Sequence, residues 1–141
     1  MVLVDTSVWI KAGRRDGDLT VKVALESLLE AYEACWCGVV KLEFVARVRE
    51  EQRRKLEFFF STIPYQPITE ATWEGAKKLG WKLRDAGVTV PNNDILLAAL
   101  AIQTGCRLYA VDQHFEDIQR VMPGLFLYTP GYGGSYNDHS T

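Results

Sequence analysis

Five short apolar runs, each followed by a stretch of helical period or by a turn, limit this chain to few architectures. The runs cover residues 2–4, 34–37, 65–68, 107–111 and 125–128. Between the first two, Val21, Leu25, Leu28, Leu29 and Tyr32 recur at helical spacing. Leu56, Phe59, Phe60 and Ile63 form the next such stripe, and Trp73, Ala76, Leu79 and Leu83 a third. From Ile95 to Ile102 the sequence is apolar nearly all round, which predicts a helix buried on most sides and stopped by Gly105. Strands that alternate with helices imply a parallel sheet. With strand one central, right-handed crossovers give the doubly wound order 3-2-1-4-5 in a three-layer α/β/α domain. The 141 residues suffice for one such domain, expected over 1–130. Gly133-Gly134-Ser135 and the polar end predict a flexible C-terminal tail over 131–141.

That order fixes where chemistry would sit. The winding direction reverses between strands one and four, and the crevice beyond their carboxyl ends is where open α/β sheets bind ligands. Asp5 and Asp112 follow those two strands, while Glu43 and Asp94 are expected to begin helices on the same side. Two of these acids also have a plainer reading. Asp5 and Asp94 could simply cap helices. Glu43, among Val39, Val40, Leu42 and Val45, must be paired, bind a metal or face a cavity.

Four carboxylates brought together repel unless a cation neutralises them or some hold protons. Oxygen-only ligation selects a hard ion, Mg²⁺ or Mn²⁺, present singly or as a pair. Such an ion lowers the pKa of a bound water, orients it in line and offsets charge on a leaving oxygen, which suits phosphodiester hydrolysis.

A net charge of −2 gives no global signature of a nucleic-acid binder, although a local basic rim remains compatible with it. Arg47, Arg49, Arg53 and Arg54 could form that rim, or a solvated helix face laced with Glu50 and Glu51. No apolar stretch reaches the length of a membrane span, the N-terminal strand carries no basic leader, and Cys35 and Cys37, too close to pair readily, point to reduced thiols and the cytoplasm. Cys35 and Cys37 read as reduced, buried strand residues, because no second Cys/His pair completes a zinc site. His114 reads as a solvated loop histidine and Asp117 as a surface helix residue, and the aromatic residues on the helical stripes read as core.

The segments Asp5-Thr6-Ser7, Glu43, Asn93-Asp94 and 110–115 resemble those of PIN-domain nucleases, in particular the small VapC-type toxins of prokaryotic toxin–antitoxin pairs. The resemblance spans about residues 1 to 130. It implies a five-stranded parallel sheet and a Mg²⁺- or Mn²⁺-dependent endoribonuclease that forms a homodimer. It also implies a cognate antitoxin protein whose peptide occupies the groove. By position, Asp5, Glu43, Asp94 and Asp112 match the family's catalytic acids, with Asp5, Asp94 and Asp112 on the metal. Thr6 or Ser7 matches a hydroxyl near the site, and Asn93 supports it. Many relatives carry Thr or Ser where Ala110 stands here. Haloacid-dehalogenase-like phosphatases also place an Asp after strand one. They usually show a second Asp two residues on, where this chain has Ser7. A PIN-like scaffold that only binds RNA or a partner would have no evident use for four converging acids.

Overall fold

Val2, Leu3 and Val4 are wholly buried, so the first strand needs cover on both faces. Period-two alternation divides its side chains. Leu3 joins one apolar cluster, Val2 and Val4 the other. The same split recurs in the second strand, where Cys35 and Cys37 face one way and Ala34 and Trp36 the other. In the computed structural model, which describes residues 1–131, these faces become the two cores of a three-layer fold. Of the tail expected over 131–141, everything from residue 132 onward lies outside the described residues.

Strands β1 (Val2–Val4), β2 (Ala34–Cys37), β3 (Tyr65–Gln66) and β4 (Arg107–Tyr109) form one parallel sheet in the order β3-β2-β1-β4. Helices α1 (Thr6–Gly13), α2 (Leu19–Glu30) and α4 (Glu50–Ser61) contribute to the core on the Val2/Val4 face. Helices α5 (Glu70–Asp85), α6 (Asn92–Thr104) and α7 (His114–Val121) cover the Leu3 face. The short helix α3 (Gly38–Glu43) leaves β2 directly and sends Val39 to one core and Val40 to the other.

The predicted order is therefore present, but with four strands rather than five. The run at 125–128 makes a single parallel bridge, Leu127 to Leu108. It enters from the Pro123-Gly124 turn and reaches Pro130 soon after, and among the described residues β4 exchanges backbone bonds with it only through Leu108, to Phe126 and Tyr128. β3 stops at Gln66 because Pro67 has no N–H to continue the ladder.

Other expectations need correction. Trp9 and Ile10, whose sequence suggests a short apolar turn after the first strand, lie within helix α1, which Asp5 caps. The charged segment is broken: a 3-10 turn (Val45–Arg47) precedes α4, and Arg49 stands at the α4 N-cap. Trp73 is 53 % exposed, because Thr72 takes the place on the buried α5 face with Ala76, Leu79 and Leu83. Phe60 is buried in the core, but Phe59 lies at its edge against Trp9. Cys35, Cys37 and Cys106 are free, buried thiols, and burial pushes the Cys37 thiol up. No helix is long and apolar enough to cross a membrane among the described residues.

Candidate active site

The β1 ladder runs one residue past the strand, since the Asp5 N–H donates to the Tyr109 carbonyl at 2.8 Å. That bond fixes the Asp5 backbone at the crevice between β1 and β4. Its carboxylate accepts from the Ser7 N–H at 3.0 Å and from the Ser7 hydroxyl, so Asp5 caps α1 as well as entering the crevice. The Ser7 oxygen in turn accepts from the Val111 N–H at 3.2 Å. One serine thus ties the start of α1 to the segment leaving β4, where Ala110 has no hydroxyl to contribute.

Glu43 ends α3 rather than beginning a helix, because α3 starts at Gly38 with no intervening loop. Its carboxylate is held on both oxygens. The Thr6 hydroxyl donates to Oε1 at 2.8 Å, and the Asn93 side-chain amide donates to Oε2 at 2.7 Å. Asp94 is the third residue of α6, two places inside the helix start, with Pro91 at the N-cap. Its position in the first turn favours a negative charge. Asp112 lies three residues beyond β4, and its Oδ1 accepts from the His114 N–H at 3.1 Å.

All four acids, together with Thr6, Ser7, Asn93, Arg47 and His114, line one open cleft of about 640 Å³. Of the four arginines considered from sequence, only Arg47 reaches its wall. Arg53 donates to the Val48 carbonyl instead, and Arg49 and Arg54 stand outside the cleft. Asp117 pairs with Arg120 at 2.8 Å on the α7 surface.

His114 was not expected here. Its Nδ1 lies 2.6 Å from Asp94 Oδ2 and 3.5 Å from Asp112 Oδ1, so it is a cleft residue rather than a solvated loop histidine. The signal available from sequence was its place two residues after a strand-end acid, at the start of a helix that returns over the sheet.

The electrostatics record the crowding. Burial pushes the Asp5 carboxyl up to about 6; the Ser7 hydrogen bonds pull the other way, and the Asp112 and Asp94 charges add to the rise. Burial also raises Asp94, against the lowering effect of its bond to His114. His114 is raised chiefly by that same bond. A divalent cation would relieve all of this at once. Oxygens of Asp94 and Asp112 and Nδ1 of His114 lie within 4.8 Å of one another, and the Asp5 carboxylate is close enough to feel both aspartates. This donor set fits a small divalent ion.

The PIN domain family model matches residues 2–121. Ribonuclease VapC11 of Mycobacterium tuberculosis is 31 % identical over 126 residues, covering 86 % of this chain and 93 % of its own. Among solved structures, VapBC2 of Rickettsia felis, bound to a DNA fragment from its promoter, superposes with a TM-score of 0.72. It is 23 % identical and covers 90 % of this chain and 97 % of that one. FitAcB of Neisseria gonorrhoeae superposes with a TM-score of 0.73 at 18 % identity, covering 92 % and 98 %. At such identities the two structures bear on the fold alone.

Proposed function

We propose, since the chain belongs to the PIN domain family with VapC ribonucleases among its relatives, that it is the toxin of a toxin–antitoxin pair. Its reaction is Mg²⁺- or Mn²⁺-dependent hydrolysis of RNA phosphodiester bonds. The observation that carries this reading is the convergence of Asp5, Glu43, Asp94 and Asp112 on one cleft at the β1/β4 crevice.

Asp5, Asp94 and Asp112 would hold the cation. When bound, that ion supplies Lewis acidity toward water and the scissile phosphate. Glu43 has both oxygens engaged by Thr6 and Asn93, yet each oxygen keeps a lone pair. It is therefore held rigid while still able to accept a hydrogen bond and orient an incoming water. Ser7 keeps Asp5 aimed into the cleft. Arg47, the basic side chain on the wall, offers its guanidinium to a phosphate of the substrate strand.

Beside this cleft, and sharing Ile10 with it, runs a second groove lined by Phe44, Val48, Leu56 and Phe59. It suits an apolar segment of a cognate antitoxin protein, while assembly as a homodimer and residence in a reducing cytoplasm complete the proposal. Three free, buried thiols are compatible with that compartment.

The test is incubation of total RNA with the purified chain in Mn²⁺, in EDTA, and in EDTA followed by excess Mn²⁺, with product ends sequenced. Discrete internal cuts that vanish with EDTA and return with Mn²⁺ are expected. Cleavage indifferent to EDTA would remove the metal from the mechanism. Release of phosphate from small esters without RNA cutting would mark a phosphatase instead.

A further inference from the structure

We propose that His114 enters the cation site as a nitrogen ligand through Nδ1, beside Asp94 and Asp112, and thereby biases the site toward Mn²⁺ over Mg²⁺. The proposal rests on the metal-dependent reading above and assigns a donor that the acidic set alone lacks.

Geometry is the first support. Neighbouring ligands of an octahedral ion with bonds of ~2.1 Å lie roughly 3 Å apart. The Nδ1 separations from Asp94 Oδ2 and Asp112 Oδ1, 2.6 and 3.5 Å, straddle that spacing. Small side-chain rotations would place all three atoms on one ion. Anchorage is the second support. The His114 N–H is bonded to Asp112, and His114 is the first residue of α7, whose Phe115 and Ile118 are buried in the core. The backbone beneath the ring is thus tied to the acid it would share an ion with.

The preference follows from ligand chemistry. Mg²⁺ holds to oxygen donors and its own waters, whereas Mn²⁺ and the later transition ions accept imidazole more readily. A site of carboxylates alone would discriminate little between the two. A plainer role, in which His114 only hydrogen-bonds Asp94, would support both ions equally.

Affinity alone cannot separate these roles, because losing an outer-shell partner also costs roughly 10–100-fold. The experiment is therefore calorimetric titration of the full chain with Mn²⁺ and with Mg²⁺, for wild type, His114→Ala and His114→Gln. Electron-spin-echo spectra of the Mn²⁺-loaded proteins accompany it, with circular dichroism to verify folding. Mn²⁺ affinity is expected to fall by ~10-fold or more in both variants while Mg²⁺ affinity moves by less than ~3-fold. Nitrogen modulation from an imidazole should be present in wild type and absent from both variants. Equal losses for the two ions, or a wild-type echo without nitrogen modulation, would overturn ligation by His114 and leave the metal reading intact. Failure of wild type to bind either ion would overturn both.

Discussion

Asp5 carries two duties that pull its proton in opposite directions. As the cap of α1 it accepts two bonds from Ser7, which favour the carboxylate, but burial and two neighbouring aspartates favour the acid. The balance leaves its folded pKa near 6, above the ordinary value. Between those values the folded chain retains a proton that the unfolded chain has released, so stability falls as pH rises through that window. The raised Asp94 and His114 act with the same sign. Without divalent ions the protein should therefore melt lower at pH 8 than at pH 5, with Asp5 contributing about 1.4 kcal/mol over that interval. Asp5→Asn should flatten the dependence, and a slope unchanged in that variant would show that Asp5 does not cause it. Ser7→Ala should cost about 1–2 kcal/mol, since it removes bonds to both Asp5 and the Val111 N–H. Chemical denaturation of the variant measures this, and a loss under a few tenths of a kcal/mol would contradict the tie. Asp5, Asp94 and Asp112 could be read from sequence because each follows a strand or lies in the first turn of a helix, positions that topology alone sends to one edge, whereas Glu43 arrives at the end of α3. His114 could not be read in the same way. Its ring reaches the cleft only because α7 docks back across the sheet, and that is a tertiary fact.

Three helices close with the same paired bonds, and the sequence signals two of them. After α5 and α6, Gly87 and Gly105 take the left-handed conformation at φ 75° and 73°, and the next N–H reaches back to the carbonyl five residues before it. α2 closes identically, with Glu33 bonded to Leu28, but Tyr32 occupies the left-handed position at φ 57° and is 85 % exposed. Gly105 is legible as a helix stop, whereas helical spacing puts Tyr32 on the apolar stripe, because spacing says nothing about backbone hand. Tyr32→Gly should raise stability by ~1 kcal/mol, since a bulky side chain is strained there and this one has little packing to lose. Gly105→Ala should lower it by a similar amount through the backbone alone, as no atom crowds the added methyl. Opposite shifts in melting temperature would check both, and a destabilised Tyr32→Gly would refute the strain. The buried α5 face differs by one position from the apolar stripe for a related reason. Trp73 and Thr72 are adjacent, and the polar one is buried because its hydroxyl meets the Thr69 cap and Gln103.

At the scale of the molecule, strand order does most to make the site. β1 and β4 are neighbours while the chain winds outward from β1 in both directions, so a crevice opens where Asp5 and Asp112 emerge. Alternating strands and helices made that order legible. The missing fifth strand was not, because one bridge or a full ladder depends on how the segment between Pro123 and Pro130 lies against Leu108. The basic segment was legible only as charge. Folding turns Arg47 into the cleft and leaves Arg54 outside it. Arg47→Ala should accordingly weaken RNA binding and reduce the salt slope by about one counterion-linked contact, while Arg54→Ala should do neither. Filter binding across a salt series reads this, and an unchanged slope for Arg47→Ala would return that residue to a solvated face. If Asp5, Asp94 and Asp112 hold a cation and Glu43 orients the water that cuts RNA, their crowding costs the metal-free fold stability. Asp94→Asn tests it most directly, by RNA cleavage in Mn²⁺ measured on protein whose metal-free melting temperature is also recorded. No cleavage is expected, from a variant that melts at or above wild type. Wild-type cleavage by that variant would contradict it.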